Sequence, residues 1–236
     1  MRYVLLLVLV MSVFTTYAQL KVARELPRFT KVELHDVDVY LSQGPVQSVE
    51  VELPEQLQPL VGLAVQDSTL RNTWDVAKAL QMTGLLDGPT VKLYITCPRL
   101  TELDVAGANV YGRTTLTAGS FRLSAASGST VTLRLNAQRL GTFINKKGGG
   151  SGECTVRLTG RVRRHTATVG SGGYLQGFEL KTAGTRIKIN GSGSADVSAL
   201  EELYYQVASG GELRYQGRPA SVQPEGRSEG TARAMN

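Results

Sequence analysis

The chain has 236 residues, 42% of them hydrophobic, 19% charged and 6% aromatic, with 26 glycines, 8 prolines and a formal charge of +6. This is the mixture of a folded globular protein with length for one core or two small ones. Two cysteines exclude a disulfide scaffold, and two histidines, His35 and His165, exclude a His-rich metal site. The sparse charge leaves few acids, bases or ligands from which to build a catalytic centre, and no cofactor or metal is implied.

Residues 1–18 read as a leader. Met1-Arg2-Tyr3 precedes an apolar run over residues 4–14 that only Ser12 interrupts, and Thr16 and Ala18 are the small residues of a cleavage site. The run is too short to span a bilayer, so the expectation is a secretory signal peptide cut after Ala18. No later stretch is apolar for long enough to cross a membrane as a helix. The expected location is therefore periplasmic, associated with the outer membrane or extracellular. Export permits Cys97 and Cys154 to pair, but their spacing carries no geometry, and two partly buried thiols is the simpler expectation.

Two unlike stretches follow. Residues 19–104 hold 8 Lys and Arg against 12 Asp and Glu, and residues 105–236 hold 17 against 8, so an acidic part precedes a basic one. Only Gly44, Gly62, Gly84 and Gly88 lie before residue 104, and the other 22 glycines come after it.

The acidic part reads as strands. Residues 31–41 alternate polar and apolar side chains, as do residues 47–53 after the Gly44-Pro45 turn. Pro54 and Pro59 break the chain, residues 63–70 are a further candidate strand, and residues 91–96 resume the alternation. Only residues 74–82, bounded by Gly84 and Gly88-Pro89, have the pattern of a short helix.

The basic part repeats a landmark, a small-Gly-small turn that leads into an apolar residue. Its central glycines are Gly107, Gly128, Gly152, Gly172, Gly193 and Gly210, about twenty residues apart. A period of this length, with alternating runs between the turns, predicts an all-β chain coiled as a β-solenoid with rungs of about twenty residues. The glycines are its structural turn residues, since a corner needs positive φ. The competing architecture is a β-sandwich of antiparallel hairpins. On either plan residues 19–220 form a single domain, and the polar stretch 221–236 is expected to be a disordered tail.

The run Arg28-Phe29-Thr30-Lys31-Val32-Glu33, the strand Val37-Asp38-Val39-Tyr40-Leu41-Ser42-Gln43-Gly44 and the stretch from Leu93-Tyr94-Ile95-Thr96-Cys97-Pro98 to Val105-Ala106-Gly107-Ala108 carry a resemblance. With the Ser-Gly repeats up to Tyr215-Gln216-Gly217, they resemble a bacterial family described as putative auto-transporter adhesin, head GIN domain, over residues 28–218. The chain departs from the family pattern at Cys97, where an aliphatic residue is usual, at the Lys146-Lys147-Gly148-Gly149-Gly150 insertion and over residues 74–82. The resemblance implies a right-handed parallel β-helix-like fold in an exported protein of the Bacteroidetes group, and adhesion more loosely. It brings no agreed catalytic or binding residues. The length after the repeats leaves no room for a membrane barrel, so self-transport is not expected.

A β-helix can also carry polysaccharide-degrading chemistry, which needs paired carboxylates or a calcium site. Asp196 is the lone aspartate after Asp104, and the adjacent Glu201 and Glu202 are expected on opposite faces of a strand. A non-enzyme is therefore the expectation. The feature that points to a partner is basic. Arg134, Arg139, Lys146, Lys147, Arg157, Arg161, Arg163 and Arg164 face Glu153 alone within residues 134–164, and stacked rungs would align them as an anion-binding stripe. His165, beside them, is expected on the same solvated face. Phe143 is the one aromatic residue of the stretch, which argues against stacked bases and hence against nucleic acid. Anionic polysaccharide, or an envelope surface, is the expected partner. A purely structural rod is the third possibility, with residues 37–41 and 212–215 as candidate end elements for capping or for self-association into a homo-oligomer.

Overall fold

The structure, a computed structural model, describes residues 19–74, 91–145 and 152–235. The regular structure among them is strand throughout, apart from a 3₁₀ segment at Glu55–Leu60. The leader, the 146–150 insertion and all but the first residue of the 74–82 stretch lie outside the described residues. Trp74 itself ends strand β6 (Thr69–Trp74) rather than opening a helix.

Five long strands form the centre of the sheet, β9 (Asn109–Ala126), β10 (Thr130–Ile144), β11 (Cys154–Val169), β12 (Gly173–Ile189) and β13 (Ser194–Val207). Each pairs in parallel with the next along the chain, which excludes the antiparallel sandwich for this part. Residues 109, 130, 155, 174, 194, 212 and 231 fall in one register column, at steps of 21, 25, 19, 20, 18 and 19. The next residue in every strand is apolar and inward, so Val110, Val131, Val156, Leu175, Ala195 and Leu213 form one buried row. A second row, Ala125, Ile144, Val169, Ile189 and Val207, is buried at the far ends of the same strands. Each fully buried Val, Leu or Ile of this kind contributes up to about 1.5–3 kcal/mol.

The turn glycines follow this register only in part. Positive φ occurs at Gly107, Gly128, Gly152, Gly172 and Gly210, but at the fifth landmark it falls on Gly191 instead of Gly193. Gly193 is small for another reason. It stands just before its column residue, where a Cβ would come within 2.6 Å of the Gly170 carbonyl oxygen. That position is small and buried in every copy, with Ala108, Ser129, Cys154, Gly173, Gly193 and Gly211.

The acidic N-terminal strands belong to the same sheet. β2 (Lys31–His35) pairs in parallel with β8 (Glu102–Ala106), and β3 (Asp38–Gln43) pairs in parallel with β9. On the other side of β3 lies β7 (Lys92–Cys97), then β4 (Ser48–Pro54) and β1 (Gln19–Arg24), the last two antiparallel to their neighbours. A hairpin of β5 (Val61–Gln66) and β6 sets β6 against β2. The sheet therefore runs β1-β4-β7-β3-β9, out of chain order. Gln43 fastens the join. Its amide nitrogen donates to the carbonyls of Pro98 and Thr117, its side-chain oxygen accepts from the Thr117 N–H, and its own N–H donates to Thr114 Oγ1.

At the other end, β14 (Glu212–Gln216) and β15 (Ser221–Pro224) pair with successive parts of β13, and β16 (Thr231–Ala234) pairs with β14. The stretch expected as a disordered tail thus supplies two strands. Neither expected end element is terminal. Residues 37–41 lie between β7 and β9, residues 212–215 lie between β13 and β16, and the ends of the path are β1 and β16. Cys97 and Cys154 are separate, free and buried, and burial pushes both thiols up to about 11.

Candidate functional site

The feature that organises the surface is a pair of register shifts. β10 and β11 run side by side without interruption from Thr130 to Ala137. On one side, β9 shifts against β10 between Thr132 and Arg134, so that residues 112–114 oppose Leu133 alone and stand out as a bulge. On the other side, β12 shifts against β11 between Arg157 and Gly160, where Gly177, Phe178 and Glu179 oppose Leu158 and Thr159. Two bulges flank a floor two strands wide, which makes a trough of about 490 Å³. Gly112 permits the close approach on the first side, because a Cβ there would lie 3.1 Å from the Thr132 carbonyl oxygen.

Arg113 lines the trough from the β9 bulge, Arg134 and Arg157 rise from its floor, and Glu179 closes the β12 side. The three arginines are exposed. Arg157 Nη2 pairs with Glu179 Oε1 at 3.0 Å, which leaves the lining with two positive charges in excess. The hydroxyls of Thr114, Thr132 and Thr159 share the same lining.

Beside the trough stands a tyrosine stack that no local motif announces. Tyr94, Tyr40 and Tyr111 occupy one outward column across β7, β3 and β9, with ring centroids 4.8 and 5.2 Å apart and planes inclined by 13° and 21°. These spacings follow the separation of neighbouring strands, so the rings stack because the register puts them side by side. Lys21 Nζ caps the Tyr94 ring at 4.2 Å, and the Arg113 guanidinium lies 5.5 Å from the Tyr40 centroid. The Tyr94 hydroxyl donates to Glu52 Oε2 at 2.7 Å, which, with burial, raises its pKa. Glu52 also accepts from Lys92 Nζ at 2.8 Å, and these two bonds, Lys92 first, hold its carboxyl below the usual range. The next residues in the column are Thr132 and Arg157 of the trough floor, so the stack ends at Tyr111, where the trough begins.

The expected arginine stripe does not form as one band. Arg134 and Arg157 enter the trough. Arg161 lies beside Asn136 and Lys181, and Arg139 lies directly beside Arg164. Arg163 and Arg164 line a separate depression of about 380 Å³ with Arg186, Glu201 and Glu202. All six are exposed. Lys146 and Lys147 lie outside the described residues. Sequence reasoning missed Arg113 and Tyr111, although the Tyr-Gly-Arg-Thr-Thr run between Val110 and Leu116 has no apolar residue at either alternating position and so marks the bulge.

Two expectations are corrected further along the strands. His165 is buried, 3% exposed, instead of solvated, because Arg163 and Arg164 both face outward and the alternation slips by one residue. Its Nε2 lies 3.0 Å from the buried Thr142 hydroxyl, and burial pushes its pKa down to about 4. The alternation is also broken in β13, where residues 200–202 all face outward between buried Ala199 and Leu203. Glu201 and Glu202 therefore share one depression rather than opposite faces.

Asp196 is held structurally. It is 5% exposed, accepts from Arg214 Nε at 2.6 Å and Nη2 at 2.8 Å, and accepts the Tyr174 hydroxyl at 2.6 Å. Among the described residues, no group of three or more His, Cys, Asp or Glu side chains could hold a metal ion. No helix among them is long and apolar enough to cross a membrane.

Comparison with known proteins adds the following. The model of the family described as putative auto-transporter adhesin, head GIN domain, matches residues 28–219. A crystal structure of a putative adhesin from Bacteroides fragilis NCTC 9343 is 19% identical, with a TM-score of 0.80, over 92% of this chain and 97% of that one. One of a putative adhesin from Parabacteroides distasonis ATCC 8503 is 18% identical, with a TM-score of 0.64, over 93% and 97%. A putative lipid binding protein from the same strain is 14% identical, with a TM-score of 0.60, over 92% and 97%. The search of curated proteins gave no match.

Proposed function

The chain belongs to the putative auto-transporter adhesin, head GIN domain family, and on that premise we propose that it is an exported, non-catalytic binding protein of the cell envelope, coiled as a right-handed β-solenoid, that contacts anionic glycan. The coil is supported by the pairing. Gly173 lies beside Cys154 and Ile189 beside Val169, so β12 starts where β11 starts and ends where it ends. A straight strand of 16 residues would run for about 50 Å, whereas the four residue steps from Val169 to Gly173 reach at most about 14 Å. This pairing is what a strand that turns back on itself within one rung would give. Right-handedness is the general rule for parallel crossovers. Export is supported by the leader pattern of residues 1–18.

The observation that carries the binding role is the trough. Arg113, Arg134 and Arg157 converge on one depression that holds a single carboxylate. Guanidinium groups suit planar carboxylates and sulfates, which they bind in bidentate fashion. The lining is polar and charged, which suits an acidic glycan better than it suits an acyl chain. A non-catalytic role fits the fixed state of Asp196. The test is retention on an immobilised acidic polysaccharide in rising salt. Arg134→Gln with Arg157→Gln should lower the salt concentration of elution, because screening acts on the charges that remain. Unchanged elution would remove the trough from the account. Arg161→Ser, Arg163→Ser and Arg164→Ser test the remainder of the stripe in the same assay.

A further inference from the structure

We propose that the trough recognises an acidic sugar as a sugar, with a pyranose ring laid on the open face of Tyr111 while its carboxylate or sulfate is held by Arg134 and Arg157. The inference rests on the reading of the trough as an anion site and adds the ring to it. Three observations support it. The tyrosine column is closed at one end, where Lys21 covers Tyr94, and ends at the other on Tyr111, 40% exposed, with the small Thr132 as the next residue of the column. Tyr40 and Tyr94 already stack on their neighbours, so among the described residues the side of Tyr111 toward Thr132 is the ring face of the column open to a guest. Arg113 joins the two features, since it lies against the Tyr40 ring and also lines the trough.

The chemistry of this arrangement is selective. A pyranose presents a flat patch of C–H bonds that packs on an aromatic face, and its equatorial hydroxyls can bond the threonine hydroxyls of the floor. An inorganic polyanion satisfies the arginines but has nothing to lay on the ring. A neutral sugar can use the ring but leaves the desolvated guanidinium groups without an anion. Uronate or sulfated glycan satisfies both.

The test measures affinity for polygalacturonate, dextran and inorganic polyphosphate with the full mature chain. Tyr111→Ala should weaken polygalacturonate by about two- to tenfold, the range of an aromatic contact, and leave polyphosphate unchanged. Thr132→Tyr should extend the stack, cover the open face and weaken polygalacturonate likewise, with the fold retained because an exposed strand position accepts tyrosine. Tyr94→Ala, at the covered end of the stack, should leave affinity unchanged and so separates binding from any loss of stability. Arg134→Gln with Arg157→Gln should weaken both polyanions by at least about tenfold. If the arginine variant weakens polygalacturonate while Tyr111→Ala and Thr132→Tyr do not, the sugar inference fails and the anion reading stands. If no variant matters, or the wild type retains no polyanion, both fail. Stronger capture by phosphatidylglycerol vesicles than by polygalacturonate overturns the inference in favour of a lipid surface.

Discussion

The two parts of the sheet differ in where they leave positive charge unpaired. In the acidic part three cations join strands: Lys21 pairs with Glu50, Arg71 with Glu33 and Lys92 with Glu52, at 2.7 to 2.8 Å across neighbouring strands. These pairs hold strands that have left chain order. The parallel part has ion pairs too, at Arg122, Arg157, Arg186 and Arg214, but aliphatic rows stack from strand to strand there, and Arg134, Arg139, Arg161, Arg163 and Arg164 make no ion pair among the described residues. Exposed arginines that the fold does not use are available to a partner. The difference also separates two kinds of carboxylate, the half-exposed ones that join the N-terminal strands and Asp196, which is sunk beneath Arg214.

The largest effect should come from that buried group. Asp196→Ala leaves the Tyr174 hydroxyl without its acceptor and Arg214 with that hydroxyl alone, and should cost about 3 kcal/mol, the low end for breaking a buried pair because Arg214 is partly exposed, read as a lower urea midpoint. Next comes His165. Its folded pKa of about 4 lies below the unfolded value near 6.5, so the unfolded chain binds more protons between these limits. Stability is full above pH 6.5 and falls as the pH drops toward 4, by about 3 kcal/mol in all. His165→Leu with Thr142→Val should flatten that slope, and an unchanged slope would place the acid sensitivity elsewhere. Gln43→Ala removes the clamp between the two parts and should cost about 1–2 kcal/mol. Trp74, the single tryptophan, lies in β6, so its fluorescence should report earlier unfolding of the N-terminal part than circular dichroism reports for the whole. Coincident transitions would show that the clamp is not the join. Glu50→Ala, which removes an exposed pair, should leave the urea midpoint nearly unchanged. A cost as large as that of Asp196→Ala would erase the contrast.

The legible features were those written in a few neighbouring residues. Alternation marks β2, β3, β4 and β7, because one face of each is buried. The period near twenty is visible because every copy turns at a small residue. The landmark drifts at Gly152 and Gly193, since any small residue satisfies the motif and only the ladder shows which of them share a column. What depends on distant pairing was hidden. Tyr40 and Tyr111 are 71 residues apart and Tyr40 and Tyr94 are 54 apart, and nothing local to any of them signals a stack. Strict alternation also misplaced His165 and Glu201, because residues 163–164 and 200–202 face outward in succession. The basic stripe is divided because Arg134 and Arg157 lie at the register shifts that form the trough, whereas Arg163 and Arg164 lie beyond them along β11.

The location of a bound acidic oligosaccharide tests the central claim most directly. Titration of isotope-labelled protein with trigalacturonate, followed by amide and arginine side-chain NMR shifts, should move residues 111–115, 132–134 and 157–159 together and leave residues 163–166 and 200–204 in place. Shifts centred on the Arg163 depression, or no shift anywhere, would contradict it.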